Sequence, residues 1–126
     1  MTPEDFSRAF ALAFAEGDGG ALSRLLAPEG TALTLTGVWA EGRAAAEAAF
    51  AAEAQGALAR ARLVTGRGSI LPLGPGISLL RQRFVVTGAR DASGAEVPRF
   101  GAMLTAVLRR SDMGQEAESL AFSAVD

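Results

Sequence analysis

The 126-residue chain has no cysteine, histidine, tyrosine or lysine. Without cysteine there is no disulfide framework, no thiolate nucleophile and no thiolate metal site. Without histidine the commonest general base and metal ligand is missing. The lack of tyrosine removes a phenol that could stabilise an oxyanion, and the lack of lysine removes a Schiff-base amine. Any proton chemistry would therefore run on aspartate or glutamate, with arginine as the only cation. No metal site and no cofactor are expected. All twelve basic residues are arginine against fourteen acids, and the net charge of −2 leaves no electrostatic footprint for nucleic acid or an anionic membrane. No basic segment followed by an apolar run opens the chain, and its apolar stretches fall short of the roughly 20 residues of a membrane-spanning helix, so a cytoplasmic location is the default expectation.

What is present reads as one domain over residues 1–126: 49% of residues are hydrophobic and 21% charged. In TPEDFSRAFALAFAEG, Thr2 suits a helix N-cap, Pro3 the first helical position and Asp5 the reciprocal capping position. Phe6, Phe10, Ala13 and Phe14 then share one face, and Gly17 ends the helix. Asp18 caps a second, shorter helix, GGALSRLLA, with a stripe of Leu22, Leu25 and Leu26 and a stop at Pro28. TALTLTG changes the period to two, Leu33 and Leu35 facing one way and Thr34 and Thr36 the other, as in a half-buried strand. Residues 37–42 read as a turn or short hairpin into a third helix, RAAAEAAFAAEAQ, in which Phe50 is the one large apolar residue.

After Gly56 the pattern is strand-rich: ALARARLVTGRGSILPL and GISLLRQRFVVTG flank the turn GPG, ARDASGAEVP leads to RFGAMLTAVLRR, and SDMG to EAESLAFSAV. Helices first and four long antiparallel strands afterwards predict an α+β fold, three N-terminal helices packed on one face of a curved antiparallel sheet. In LLRQRFVV, alternation separates Arg81, Arg83 and Val85 from Leu80, Gln82, Phe84 and Val86. The second set is the more apolar and is assigned to the concave face, which makes Gln82 a polar group inside. A register one residue out would instead line the interior with two arginines and favour an anionic ligand.

The stretch AFAEGDGGALSRLLAPEGTALTLTGVWAEGRAAAEAAF resembles the opening of SnoaL-like proteins of the NTF2-like superfamily, especially the SgcJ/EcaC type. The matching positions are Gly17-Asp18, Leu22, Leu25, Ala27-Pro28-Glu29, Gly37, Gly42-Arg43 and Phe50, and LTAVLRRSDMG and LAF are similar to the last two strands. The chain departs from the pattern at MGQEAESLAF, where the family carries a tryptophan after its last turn. The resemblance implies an NTF2-like cone-shaped barrel whose helices and concave sheet enclose a pocket, and pairing into a homodimer through the convex sheet face. The superfamily includes ketosteroid isomerase-like enzymes, polyketide cyclases and members without catalysis, so the fold leaves function open.

Asp5, Asp18, Asp91, Asp112 and Asp126 fall at helix starts, turns or the terminus, and Glu118 is the one acid read within a late strand, so no catalytic residue is assigned. Pocket-lining candidates are Phe10, Phe14, Trp39, Arg43, Phe50, Gln82, Phe84, Phe100 and Phe122. Arg43 could reach a ligand carboxylate or pair with Glu41 or Glu47. Trp39 stands between strand and helix, where its indole either rims the pocket or closes the core. Three functions follow: a binder of a small apolar organic molecule; an isomerase or cyclase using a carboxylate; or a dimerisation module whose cone is filled by its own phenylalanines.

Overall fold

Pro3, with its fixed φ and no backbone N–H, opens helix α1 (Pro3–Ala15) in a computed structural model that describes residues 1–112 and 114–125. The Asp5 carboxylate accepts hydrogen bonds from the Thr2 backbone N–H at 2.9 Å and the Thr2 hydroxyl at 3.0 Å, which satisfies groups the helix itself leaves open. Phe6, Phe10 and Ala13 form its buried stripe and Phe14 packs beside them. The Asp18 carboxylate caps α2 (Gly19–Ser23) through the Ala21 N–H at 2.9 Å. Helix α3 (Arg43–Gln55) lies against α2 so closely that a Cβ on Gly19 would stand 3.0 Å from the Glu47 carbonyl oxygen and crowd the α3 backbone.

The six strands are β1 (Leu26–Leu33), β2 (Trp39–Glu41), β3 (Arg62–Gly74), β4 (Ile77–Thr87), β5 (Phe100–Ser111) and β6 (Gly114–Val125), in the order β2-β1-β6-β5-β4-β3. β3 to β6 form the antiparallel meander that the turn signals predict. The sheet as a whole is mixed, because β1 runs parallel to β6. The last strand in sequence thus lies between the first and the hairpin-linked strands, which ties the two ends of the chain together.

Two boundaries differ from the sequence expectation. The second helix stops at Ser23, and Leu26 to Leu33 is strand, although Leu22, Leu25 and Leu26 fit a helical stripe. Pairing with β6 overrides the local pattern: the Ala117 N–H donates to the Leu25 carbonyl at 2.8 Å and Leu26 stands opposite Ala117. Pro28 is accommodated because the β1–β6 register slips between Leu26 and Thr31, where no ladder bond needs its missing N–H. Thr34 to Thr36 belong to the turn of the β1–β2 hairpin instead of the strand.

Burial along β4 alternates with the pleat: Leu80, Gln82, Phe84 and Val86 face the helices, and Arg81, Arg83 and Val85 face away. Ala102, Leu104, Ala106 and Leu108 of β5 and Leu120 and Phe122 of β6 complete the inner face. Helix α1 touches β3, whose Leu63 and Ile70 pack against the core, but most residues of β3 are exposed.

Candidate functional site

The inside of the cone is the first place to look for a site, and its own side chains occupy it. Phe10 from α1 meets Phe122 from β6 edge to face, with ring centroids 5.1 Å apart, and Phe84 of β4 lies 6.3 Å from Phe10 and 5.9 Å from Phe122. Phe14 closes the group against Phe122 at 5.9 Å. These spacings are those of packed aromatic pairs, with no room for a ligand between the rings. Phe100, opposite Val86, packs at the margin of the same core.

Beside this core lies a small cavity of about 10 Å³, lined by Phe14, Gly17, Leu22, Phe50, Glu53, Ala54 and Leu58. That is close to the space of one water molecule and far below the few hundred Å³ of an organic-ligand site. Glu53 is a buried carboxylate, 8% exposed, that the sequence reading passed over. The helical period would have found it: Ala46, Ala49, Phe50 and Glu53 fall at i, i+3, i+4 and i+7 on the buried face of α3. Its Oε2 accepts from the Thr36 backbone N–H at 2.9 Å and from the Thr36 hydroxyl. The carboxylate therefore clamps the β1–β2 turn to α3, and it has no substrate-sized space before it.

Arg43 pairs with neither Glu41 nor Glu47. Its Nη2 lies 2.7 Å from Glu116 Oε2 and its Nε donates to the Leu26 carbonyl at 2.9 Å, joining the start of α3 to β1 and β6. Glu116 is thus a second acid within the last strand besides Glu118, which pairs on the surface with Arg109 at 2.7 Å.

Trp39 does not close the core. In the three-residue strand β2 the buried Ala40 points inward, so Trp39 and Glu41 point outward by alternation. The indole is 57% exposed, and its N–H donates to Glu41 Oε1 at 3.0 Å.

Trp39 stands at one end of an outer sheet face with little charge in its middle. It is opposite Leu33, which is opposite Ala121, and that residue is opposite Thr105. Met103, Thr105 and Val107 of β5 and Ala121, Ser123 and Val125 of β6 all point outward and are half-buried by their neighbours. Leu79 and Val85 of β4 and the exposed Val64 and Leu71 of β3 extend the apolar surface to the far edge, with Arg81 and Arg83 between them.

Gln82, 7% exposed, lies where the inner face runs out from under α1. It lines an open groove of about 400 Å³ with Glu4, Ser7, Gly68, Ser69, Ile70 and Leu80. Of the nine residues singled out in the sequence, Phe10, Phe84 and Phe122 fill the cone, Phe14 and Phe50 border the small cavity, and Phe100 lies at the core margin. Trp39, Arg43 and Gln82 stand apart from one another, so the nine do not form a single site. No group of three or more acidic residues capable of holding a metal occurs among the described residues, and none of their helices is long and apolar enough to cross a membrane.

No protein-family model matches the chain, and neither does any curated protein sequence. Solved structures do. A cystatin-like-fold protein of Caulobacter vibrioides superposes with a TM-score of 0.86 at 15% identity, covering 98% of this chain and 87% of that one. A protein of Xanthomonas campestris, named for a calcium/calmodulin dependent protein kinase II association domain, gives a TM-score of 0.78 at 18% identity over 99% and 92%. An NTF2-like protein of Novosphingobium aromaticivorans gives 0.76 at 20% identity over 97% and 79%. At such identities the likeness is one of fold: the chain has the cystatin-like α+β fold that these proteins share.

Proposed function

We propose that the protein is a non-catalytic assembly module that pairs with a second copy of itself through the outer face of its sheet. The observation that carries this reading is the filled cone: Phe10, Phe84 and Phe122 occupy the space in which a binder or an isomerase would hold its ligand. The cavity beside these rings, about 10 Å³, suits a water molecule at most. A binder of apolar molecules inside the cone and a carboxylate-dependent isomerase or cyclase both need volume that these side chains have taken.

The outer face supplies what a partner would cover. An antiparallel sheet with one face in water normally alternates apolar-in with polar-out. In the middle of this face the outward residues of β5 and β6 are Met103, Thr105, Val107, Ala121, Ser123 and Val125, without a charge among them, while Arg109 and Glu118 pair with each other toward its end. A continuous surface of this kind marks an interaction site more often than a solvated one. The Xanthomonas protein of similar fold is named for an association domain, which accords with assembly as a use of this architecture.

The test is Met103→Arg, which places a charge at the middle of the face without touching the core. Light scattering should show wild type at the dimer mass and the variant at half of it, with unchanged circular dichroism. A variant that keeps the wild-type mass would exclude this face as the interface.

A further inference from the structure

Outside the cone, the floor of the groove between α1 and β3 holds polar atoms that the fold itself leaves unused. Ser7 is 7% exposed, yet its hydroxyl has no hydrogen-bond partner among the described residues. Buried polar groups are ordinarily satisfied, so an orphan in a groove wall points to something that binds there. Glu4, one helical turn before it on the same face of α1, lines the same groove.

Gln82 adds the third group. Its Nε2 donates to the carbonyls of Gly66 at 2.9 Å and Arg83 at 3.1 Å, which commits both amide hydrogens. The assignment of nitrogen and oxygen is fixed by those two acceptors, since the amide oxygen cannot face two carbonyls. The bulge in β3 between Thr65 and Gly68 brings the Gly66 carbonyl into reach. Oε1 then lies over Gly68, so near that a Cβ there would meet it at 2.2 Å. It is an acceptor on the groove floor.

We infer that this groove binds a primary alkylammonium ion. An ammonium has three N–H donors and no acceptor, and the groove offers Glu4 carboxylate, Ser7 hydroxyl and Gln82 Oε1 as acceptors, one of them charged. Arg8 borders the same groove beside Gln82 and Thr65, its side chain 83% exposed and paired with Asp5 at 3.5 Å, and Arg110 lies at the far end beside Ile77, so both guanidiniums stand at the margins and the three acceptors on the floor. Ile70 and Leu80 give the alkyl chain an apolar bed, which continues past Ile70 to Pro72 and Ile77 in the adjoining part of the groove. Most of β3 is exposed, so the groove is open to solvent, and a turn of the Ser7 side chain about χ1 brings its buried hydroxyl to the ligand. Nothing in this inference depends on the protein's oligomeric state.

The experiment is a titration of the ¹⁵N-labelled protein with n-pentylamine at neutral pH, followed by amide shifts, with n-pentanol and pentanoate as controls. Saturable shifts confined to residues 4–8, 65–70 and 80–83 are expected for the amine, with the alcohol and the acid binding at least about tenfold more weakly. Glu4→Gln and Ser7→Ala should each weaken the amine several-fold, and a melting temperature no lower than wild type would show that neither loss comes from unfolding. Absence of saturation, equal binding of amine and alcohol, or no effect of Glu4→Gln overturns the inference.

Discussion

Replacing Phe122 by alanine tests whether the cone is packed or merely lined. The ring is 1% exposed and meets three others, Phe10 at 5.1 Å, Phe14 at 5.9 Å and Phe84 at 5.9 Å. Phe→Ala in a packed core costs about 3–5 kcal/mol, lost transfer energy plus the cavity left behind. The upper half of that range is expected, because all three contacts are edge-to-face pairs that contribute beyond their buried area. The walls also resist collapse: Phe122 lies opposite Leu104 in a strand paired on both sides. A loss of about 4–5 kcal/mol corresponds to a fall in melting temperature of very roughly 15–20 °C for a domain of this size. Urea denaturation with an unchanged m-value would measure it directly. The new cavity should be apolar and dry, so benzene should bind the variant and restore part of the loss while leaving wild type unaffected. A loss below about 1.5 kcal/mol, with no response to benzene, would mean that the ring borders a void already present, and the filled-cone reasoning would be refuted.

Other perturbations separate surface from interior. Ser7→Ala removes a buried hydroxyl without a partner, and should stabilise the protein by up to about 1 kcal/mol in thermal or urea unfolding, whereas a polar-to-apolar change at a satisfied site would destabilise it. Asp91 accepts from the Ser93 hydroxyl at 2.6 Å and the Ala95 N–H at 3.1 Å, and these bonds hold its carboxyl below the ordinary value of 3.8. A depressed folded value contributes stability that is present above 3.8 and lost as pH falls through the folded value. An NMR titration of Asp91 should therefore give a midpoint below 3.8, and a midpoint at or above it would contradict the turn geometry.

Helix α3 is legible in the sequence to the residue, Arg43 to Gln55, because Gly42 and Gly56 bracket a run of strong helix formers. The meander from β3 to β6 is legible because GPG and ARDASGAEVP are turn signals that need no tertiary help. The α2–β1 boundary is not, since Leu22, Leu25 and Leu26 satisfy a helical period locally and the start of the strand at Leu26 is set by pairing with Ala117 of β6, some ninety residues away. The parallel β1–β6 ladder is hidden for the same reason. Trp39 is oriented by alternation with Ala40 once residues 39–41 are read as a strand, where the sequence reads 37–42 as a turn or short hairpin. Glu53 was readable from period alone. Whether Phe10, Phe84 and Phe122 line a pocket or fill it was not readable: the three rings come from α1, β4 and β6, and their mutual distances are a property of the assembled cone.

The central claim is that this chain acts by assembly through the uncharged middle of its outer sheet face. Sedimentation equilibrium of the unmodified protein over roughly 1–100 μM, a range spanning the affinities typical of specific protein association, tests it most directly. A mass of twice the 12.9 kDa chain is predicted. A single species of 12.9 kDa across the whole range would contradict the account.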